Sequence, residues 1–154
     1  RANLNPKWMM TANLTNTNLT GANLSFFDLN NAQLSGSDLS GADLSNSDLT
    51  NANLTNANLT GANLTKANLS SANMTGANLT NAVLRKTFLS GGGLWYGNLP
   101  GAELSGRNIG GANLTNANLM GADLYGVTGK NLKGCPQSLP SGWICKNNSL
   151  LRNR

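Results

Sequence analysis

Apolar residues recur at a fixed interval of five along most of this chain. Every fifth residue from Leu4 to Leu124 is aliphatic or Met, and 22 of these 25 positions hold Leu. A helix does not accommodate this interval, because five residues at about 100° each would spread successive Leu side chains around its axis. The residues between them are mostly Asn, Ser, Thr and Gly, which favour turns. The pattern therefore predicts short extended segments separated by turns.

A second small position stands two residues before most of the Leu positions and is usually Ala, as in Ala52 and Leu54. Residues two apart lie on the same side of an extended segment, so both side chains face inward. If each turn bends the chain by about a right angle, four pentads close one coil of twenty residues. Residues at this spacing do share their size: Ala2, Ala22, Ala42, Ala62, Ala82, Ala102 and Ala122. The sequence thus predicts an all-β coil with four sides.

The repeat resembles that of a known family. Its consensus, Ala-Asn/Asp-Leu-Ser/Thr-Gly/Asn, matches the A(D/N)LXX motif of pentapeptide repeat proteins over residues 2–126. The resemblance implies a right-handed quadrilateral β-helix, with Leu stacked in the core and Ala in the other inward positions. At twenty residues a coil, about six coils are expected, and each end needs a cap because a coil contacts only its neighbours.

We expect a single solenoid over residues 1–126, followed by a C-terminal cap or hairpin over residues 127–154. Two stretches of the solenoid are predicted to be irregular, residues 5–11 at its start and residues 83–100 further along. Arg107 stands at an inward position. Burying an unpaired guanidinium is costly, so either the coil opens around Gly106, Gly110 and Gly111 or the side chain turns outward. We expect the second, with a locally distorted wall.

Charge narrows the classes of function. The formal net charge is +5, from 11 Lys and Arg against 6 Asp and Glu. Some pentapeptide repeat proteins resemble DNA and bind type II topoisomerases, a role that needs an acidic surface and is therefore disfavoured. Direct nucleic-acid binding is also disfavoured, because the cations are scattered and several crowd the two termini. Polar residues interrupt every apolar pair, so no membrane span is predicted.

Enzyme chemistry finds no support in the sequence. The chain has no His, its acidic residues are few and scattered, and no glycine-rich phosphate loop joins a strand to a helix. We therefore predict no catalytic residue, no metal site and no cofactor.

Cys135 and Cys145 are the only cysteines. A zinc site is disfavoured, because there is no His and no second cysteine pair. Two unpaired thiols in a short tail remain one interpretation. We favour a disulfide that closes a small hairpin, because Pro, Gly and Ser between the cysteines supply turns. Leu139, Trp143 and Ile144 would then cover the last coil, similar to the cysteine-braced caps of some family members. A disulfide predicts an oxidising compartment: secreted, periplasmic or thylakoid lumen.

Two candidate binding surfaces depart from the polar consensus at outward positions. The first is an interaction patch of aromatic and cationic residues. It comprises Arg85, Lys86, Phe88, Trp95 and Tyr96. The alternative is a local bulge whose aromatic side chains fold back over the glycines at 91–93.

The second candidate surface is a basic–aromatic stripe at twenty-residue spacing. The alternative is a solvated corner that tolerates any residue. It comprises Phe26, Lys66 and Tyr125, beside Arg85 and Lys86.

The repeat consensus also generates many Asn-Leu-Ser/Thr sequons, which we expect to be structural because tight stacking would block a glycosyltransferase. Asn147 lies outside the coils, in Asn147-Asn148-Ser149, and is the candidate glycosylation site.

These observations predict a non-enzymatic structural or scaffold protein, a rigid rod that mediates protein–protein interaction with a partner the sequence does not identify. The alternative is a self-assembling protein that stacks end to end or laterally into dimers or filaments, because an open β-helix end is an exposed edge. A DNA-mimic topoisomerase inhibitor is the least favoured function.

Overall fold

The computed structural model describes residues 9–106 and 109–153, so the expectation for Arg107 and most of the irregular start predicted at residues 5–11 lie outside the described residues. Through the repeat, the backbone forms parallel pairs between residues twenty apart, beginning with Asn13 and Gln33 and continuing at successive fifth positions. This spacing is the one expected when four pentads make one coil. Within the described residues, no helix is long and apolar enough to cross a bilayer.

The core is a stack of Leu side chains from successive coils. Leu44, Leu64 and Leu84 lie twenty residues apart, and each is 0% exposed. The backbone N–H of Leu64 donates to the carbonyl oxygen of Val83 in the next coil at 2.8 Å, which holds the stack in register. Met74 is the one longer side chain in this part of the core. Gly92 accommodates it, because a Cβ there would lie 3.3 Å from Met74 Cε.

Each corner is a tight turn with a left-handed residue. The N–H of Ala62 donates to the carbonyl oxygen of Leu59 at 3.0 Å, and Gly61 between them has a φ of 65°. Positive φ at the third turn residue is the requirement of a type II turn, which Gly and Asn meet most easily. Lys66 and Tyr96 stand at the same turn position with φ values of 61° and 54°. A residue with Cβ in this conformation costs about 1–2 kcal/mol.

The polar consensus positions hold the walls of the coil together. Asn58 Oδ1 accepts hydrogen bonds from the backbone N–H of Thr60 at 3.2 Å and from its hydroxyl at 2.7 Å. Asn58 Nδ2 donates to Asp38 Oδ1 in the preceding coil at 3.1 Å. The repeated Asn and Thr are therefore explained by stability, without any ligand.

The stretch 83–100, which the sequence predicted to be irregular, keeps the backbone pairing of the other coils. Val83 pairs with residues 63 and 103, and Gly93 pairs with residues 73 and 113. The turn at Gly91 also retains its hydrogen bond, from the N–H of Gly92 to the carbonyl oxygen of Leu89 at 3.0 Å. The hydrogen bonds to the coil above are less regular: that from the N–H of Gly91 to the carbonyl oxygen of Gly110 is 3.4 Å long, against 3.1 Å for the equivalent bond from Ser71 to residue 90.

Beyond residue 126 the chain continues along the last coil before it leaves the repeat. Val127 and Leu132 are buried, and the backbone of Gly134 pairs with Asn113. That pair spans one residue more than the coil period, so the chain accommodates one extra residue there. Ser138 pairs with residue 118 and returns to the spacing of twenty.

A two-stranded antiparallel hairpin completes the C-terminus. Its strands are β1 (Trp143–Lys146) and β2 (Ser149–Arg152). Asn147 and Asn148 form the connection with φ values of 49° and 53°, as in a type I′ turn. Cys135 and Cys145 form a disulfide with their Cα atoms 5.8 Å apart, which confirms the predicted pairing.

Two details of the predicted cap are wrong. The hairpin does not lie between the cysteines, because Cys145 belongs to β1 and the turn follows it. Strand alternation places Trp143 and Cys145 against the core but leaves Ile144 37% exposed, so Ile144 does not cover the last coil. Leu150 of β2, 6% exposed, is buried there instead.

Candidate interaction surfaces

The twenty-residue coil divides the predicted patch into two parts. Arg85 and Lys86 form one turn, and Trp95 and Tyr96 form the turn two sides further along. Ten residues are half a coil, so the two turns lie at opposite corners with the Leu core between them. We call the corner of Phe26, Lys66, Arg85, Lys86 and Tyr125 the basic corner, and that of Trp95 and Tyr96 the aromatic corner.

The twenty-residue spacing places the predicted stripe on the basic corner, and backbone hydrogen bonds join some of its neighbouring turns. The N–H of Lys66 donates to the carbonyl oxygen of Arg85 at 2.8 Å, and that of Gly106 donates to Tyr125 at 2.7 Å. Phe26 lies lower on the same corner. Phe26 is 70% exposed and Tyr125 is 76% exposed. Phe88, 61% exposed, stands on the adjoining wall and borders the same surface.

One of the positive charges on the basic corner is paired with a carboxylate. Arg85 Nε lies 2.7 Å from Glu103 Oε2, and the two side chains are 69% and 38% exposed. An exposed pair of this kind contributes about 0–1 kcal/mol. Lys66 and Lys86 are exposed on the same corner. The sequence analysis did not identify Glu103 as a neighbour of Arg85. The two residues are eighteen apart, close to the length of one coil, and this spacing would have indicated the contact.

The aromatic corner carries two adjacent rings on the surface. Trp95 is 45% exposed and Tyr96 is 58% exposed. Their ring centroids lie 5.6 Å apart with an interplanar angle of 21°, so the rings are stacked. Large exposed aromatic groups are unusual on a wall of Asn and Thr, which makes this corner a candidate site of its own.

Other predicted sites fall on different parts of the rod. Asn147 is exposed in the hairpin turn, outside the stacked coils. Asp38 lies on a wall, where the hydroxyl and backbone N–H of Ser40 hydrogen-bond its carboxylate and lower its pKa. Among the described residues, no group of three or more His, Cys, Asp or Glu is placed to hold a metal ion.

Comparisons with known proteins agree with this architecture. The sequence profile described as pentapeptide repeats, eight copies, matches residues 12–51, 52–91 and 98–128. A pentapeptide repeat protein from the thylakoid lumen of Arabidopsis thaliana is 28% identical with a TM-score of 0.54, over 77% of this chain and 75% of that one. A trypsin-treated variant of QnrB1, a plasmid-mediated fluoroquinolone resistance protein, is 21% identical with a TM-score of 0.57, over 76% and 77%. That second likeness concerns the fold alone. No match was found among curated protein sequences.

Proposed function

Since this chain belongs to the pentapeptide repeat family, we propose that it is a non-enzymatic scaffold that binds a protein partner through the basic corner. The observation that carries the proposal is the alignment of three cationic and several exposed aromatic side chains on one corner and its adjoining wall. Aromatic and cationic residues of this kind dominate the binding energy of protein interfaces. The cations favour a partner surface that presents carboxylates.

The length and rigidity of the corner support this role. Phe26 and Tyr125 are five coils apart, and at the spacing of stacked strands this corresponds to about 24 Å. The cations lie between them, at Lys66, Arg85 and Lys86. Backbone hydrogen bonds close the turns that carry these side chains, so little order has to be gained on binding. An extended acidic segment of a partner would fit such a stripe.

We also propose the handedness and number of turns of the coil, the closure of one end and the compartment of the protein. The rod is a right-handed coil of about six turns, with one chain end closed by the hairpin. The protein works in an oxidising compartment, because the Cys135–Cys145 disulfide would be reduced in the cytosol. The similar protein from a thylakoid lumen supports that location.

Affinity capture from the native source tests the basic corner. The wild type is compared as bait with a variant that carries both Lys66→Asn and Lys86→Asn. Asn is chosen because Asn46 occupies the same turn position one coil below Lys66 with a φ of 57°. Asn therefore suits the backbone and removes only the charge. We expect the specific partner to be lost from this variant and to be released from the wild type by raised salt, since exposed charges are screened.

Trp95→Thr with Tyr96→Asn is the matched control. Thr115 and Asn116 occupy these positions one coil above, so this variant also keeps the turn chemistry of the repeat. The partner should remain bound to it. Equal capture of every protein by the wild type and the Lys variant would contradict the proposal.

Asn147 is proposed as a glycosylation site on its own evidence, exposure in a hairpin turn. Expression in a glycosylating host should give a mass increase that Asn147→Gln abolishes. A glycan retained in that variant would place the modification elsewhere.

A further inference from the structure

The aromatic corner lies half a coil from the basic corner and, unlike it, carries no Lys, Arg, Asp or Glu. We propose that Trp95 and Tyr96 form a stacking platform for a neutral saccharide, a site separate from the surface proposed for the protein partner. The inference does not rest on the proposed function, because no residue is shared between the two corners.

The backbone favours other residues at this corner. Tyr96 has a φ of 54°, whereas the same position in the coils below and above holds Gly76 and Asn116. Those two residue types adopt the left-handed conformation most easily, and an aromatic residue does so only at a conformational cost. Strain of this kind at an exposed position is an indication of function rather than of stability.

The wall beside Trp95 is also altered. Gly93, two residues earlier and on the same side of the chain, has no side chain where the neighbouring coils hold Asn73 and Asn113. A Cβ at Gly93 would lie 3.6 Å from Asn73 Oδ1, an ordinary contact, so the backbone does not require glycine for lack of space. Gly93 therefore interrupts the column of Asn side chains two residues before Trp95.

Amide and hydroxyl groups surround the two rings. Within one coil on either side, the outward positions of the corner and its two walls hold only Asn, Thr and Gly. Gly76 lies one coil below the pair, and the space beside it is occupied by Oδ1 of Asn56 from the coil below that. Part of this capacity is used within the wall, as when Asn113 Oδ1 accepts from Thr115. Among the described residues the amide N–H groups of Asn73 and Asn113 have no such partner, and none of these groups is charged.

This combination matches the surface of a sugar. The C–H groups of a pyranose carry partial positive charge and pack against the negative faces of aromatic rings, while its hydroxyls pair with amides. An anionic ligand would find no counter-charge here and would be drawn to the basic corner instead. A neutral polysaccharide, which presents many such rings in a row, is the ligand this corner favours.

Affinity electrophoresis tests the proposal with the full chain. The native gels contain one neutral polysaccharide each, namely xylan, galactomannan, glucomannan or hydroxyethyl cellulose, and binding to insoluble cellulose and chitin is measured beside them. We expect at least one of these to retain the wild type. Trp95→Thr with Tyr96→Asn should weaken that binding roughly tenfold, which is the scale of a lost aromatic contact.

Two further measurements distinguish the aromatic corner from the basic corner as the binding site. Lys66→Asn with Lys86→Asn should leave the retention unchanged, because it alters the opposite corner. Alginate, an acidic polysaccharide, should be bound more weakly than the retaining neutral one. The proposal is overturned if no neutral polysaccharide retains the wild type, if the Trp95 and Tyr96 variant is retained equally, or if alginate binds best and its binding depends on the Lys residues. Since the two double variants exchange the roles of test and control between this experiment and the partner capture, failure here leaves the proposed function untouched, and the reverse also holds.

Discussion

Replacing Leu64 by Ala should destabilise the protein severely. Leu64 is 0% exposed, and its equivalents Leu44 and Leu84 in the coils on either side are equally buried. Its carbonyl oxygen also accepts hydrogen bonds from the N–H of Ala67 at 2.9 Å and from the hydroxyl of Thr87 at 2.7 Å. The backbone around the lost side chain is therefore held on several sides and has little freedom to collapse into the cavity. A poorly relaxed Leu→Ala cavity costs about 3–5 kcal/mol.

Leu14 provides the matched control, because it stands at the same repeat position but is only half-buried. Leu14→Ala should cost less, about 1–2 kcal/mol, in proportion to the smaller area that it buries. Denaturation in guanidinium chloride, followed by far-ultraviolet circular dichroism, gives the free energy of unfolding of both variants. A loss below about 1 kcal/mol for Leu64→Ala, or equal losses for both variants, would refute the idea of a rigid Leu stack.

Three further perturbations test the corners, the walls and the cap. Gly61→Ala should lower the free energy of unfolding by about 1 kcal/mol although no atom crowds the new Cβ, and Gly61→Asn by less, since only φ is at issue. Hydrogen bonds from the hydroxyl and N–H of Ser40 lower the pKa of Asp38. They therefore stabilise the folded state at a pH above the ordinary pKa of Asp, and this stabilisation is lost as the pH falls through the lowered pKa. An NMR titration should find the Asp38 pKa closer to its ordinary value in Ser40→Ala, and an unchanged pKa would count against that hydrogen bond. Replacing both Cys135 and Cys145 by Ala should cost about 2–3 kcal/mol by denaturation and expose β1 and β2 to protease, whereas unaltered proteolysis would mean that the disulfide does not hold the hairpin.

The regular part of the fold could be predicted because each pentad repeats the same physical requirements. Leu64 must be buried, the residue two before it must be small, and Gly61 must tolerate a positive φ. These requirements recur locally, so the period, the inward side chains and the family could be read from residue types. The disulfide could be predicted too, because only two cysteines were available to pair.

The packing of the cap and the positions of the surface residues could not be predicted from residue types alone, because they are set by contacts between distant parts of the chain. The register of the hairpin determines which face of β1 packs on the core. The predicted burial was therefore right for Trp143 and wrong for Ile144. The predicted patch joined Arg85 and Trp95 because they are near in sequence. Their separation of half a coil sets them on opposite corners, as the twenty-residue period already implied.

The coil of four pentads is the geometry from which both surfaces follow, and electron–electron distance measurements test it most directly. Spin labels on cysteines introduced at Asn16 and Tyr96 would lie four coils apart on one corner, and those at Asn16 and Asn116 five coils apart. The native cysteines are joined in a disulfide and take no label. At the spacing of stacked strands the two distances should be about 19 and 24 Å, one strand apart. Distances that do not differ by one strand spacing, or that exceed these values several-fold, would contradict a coil of twenty residues.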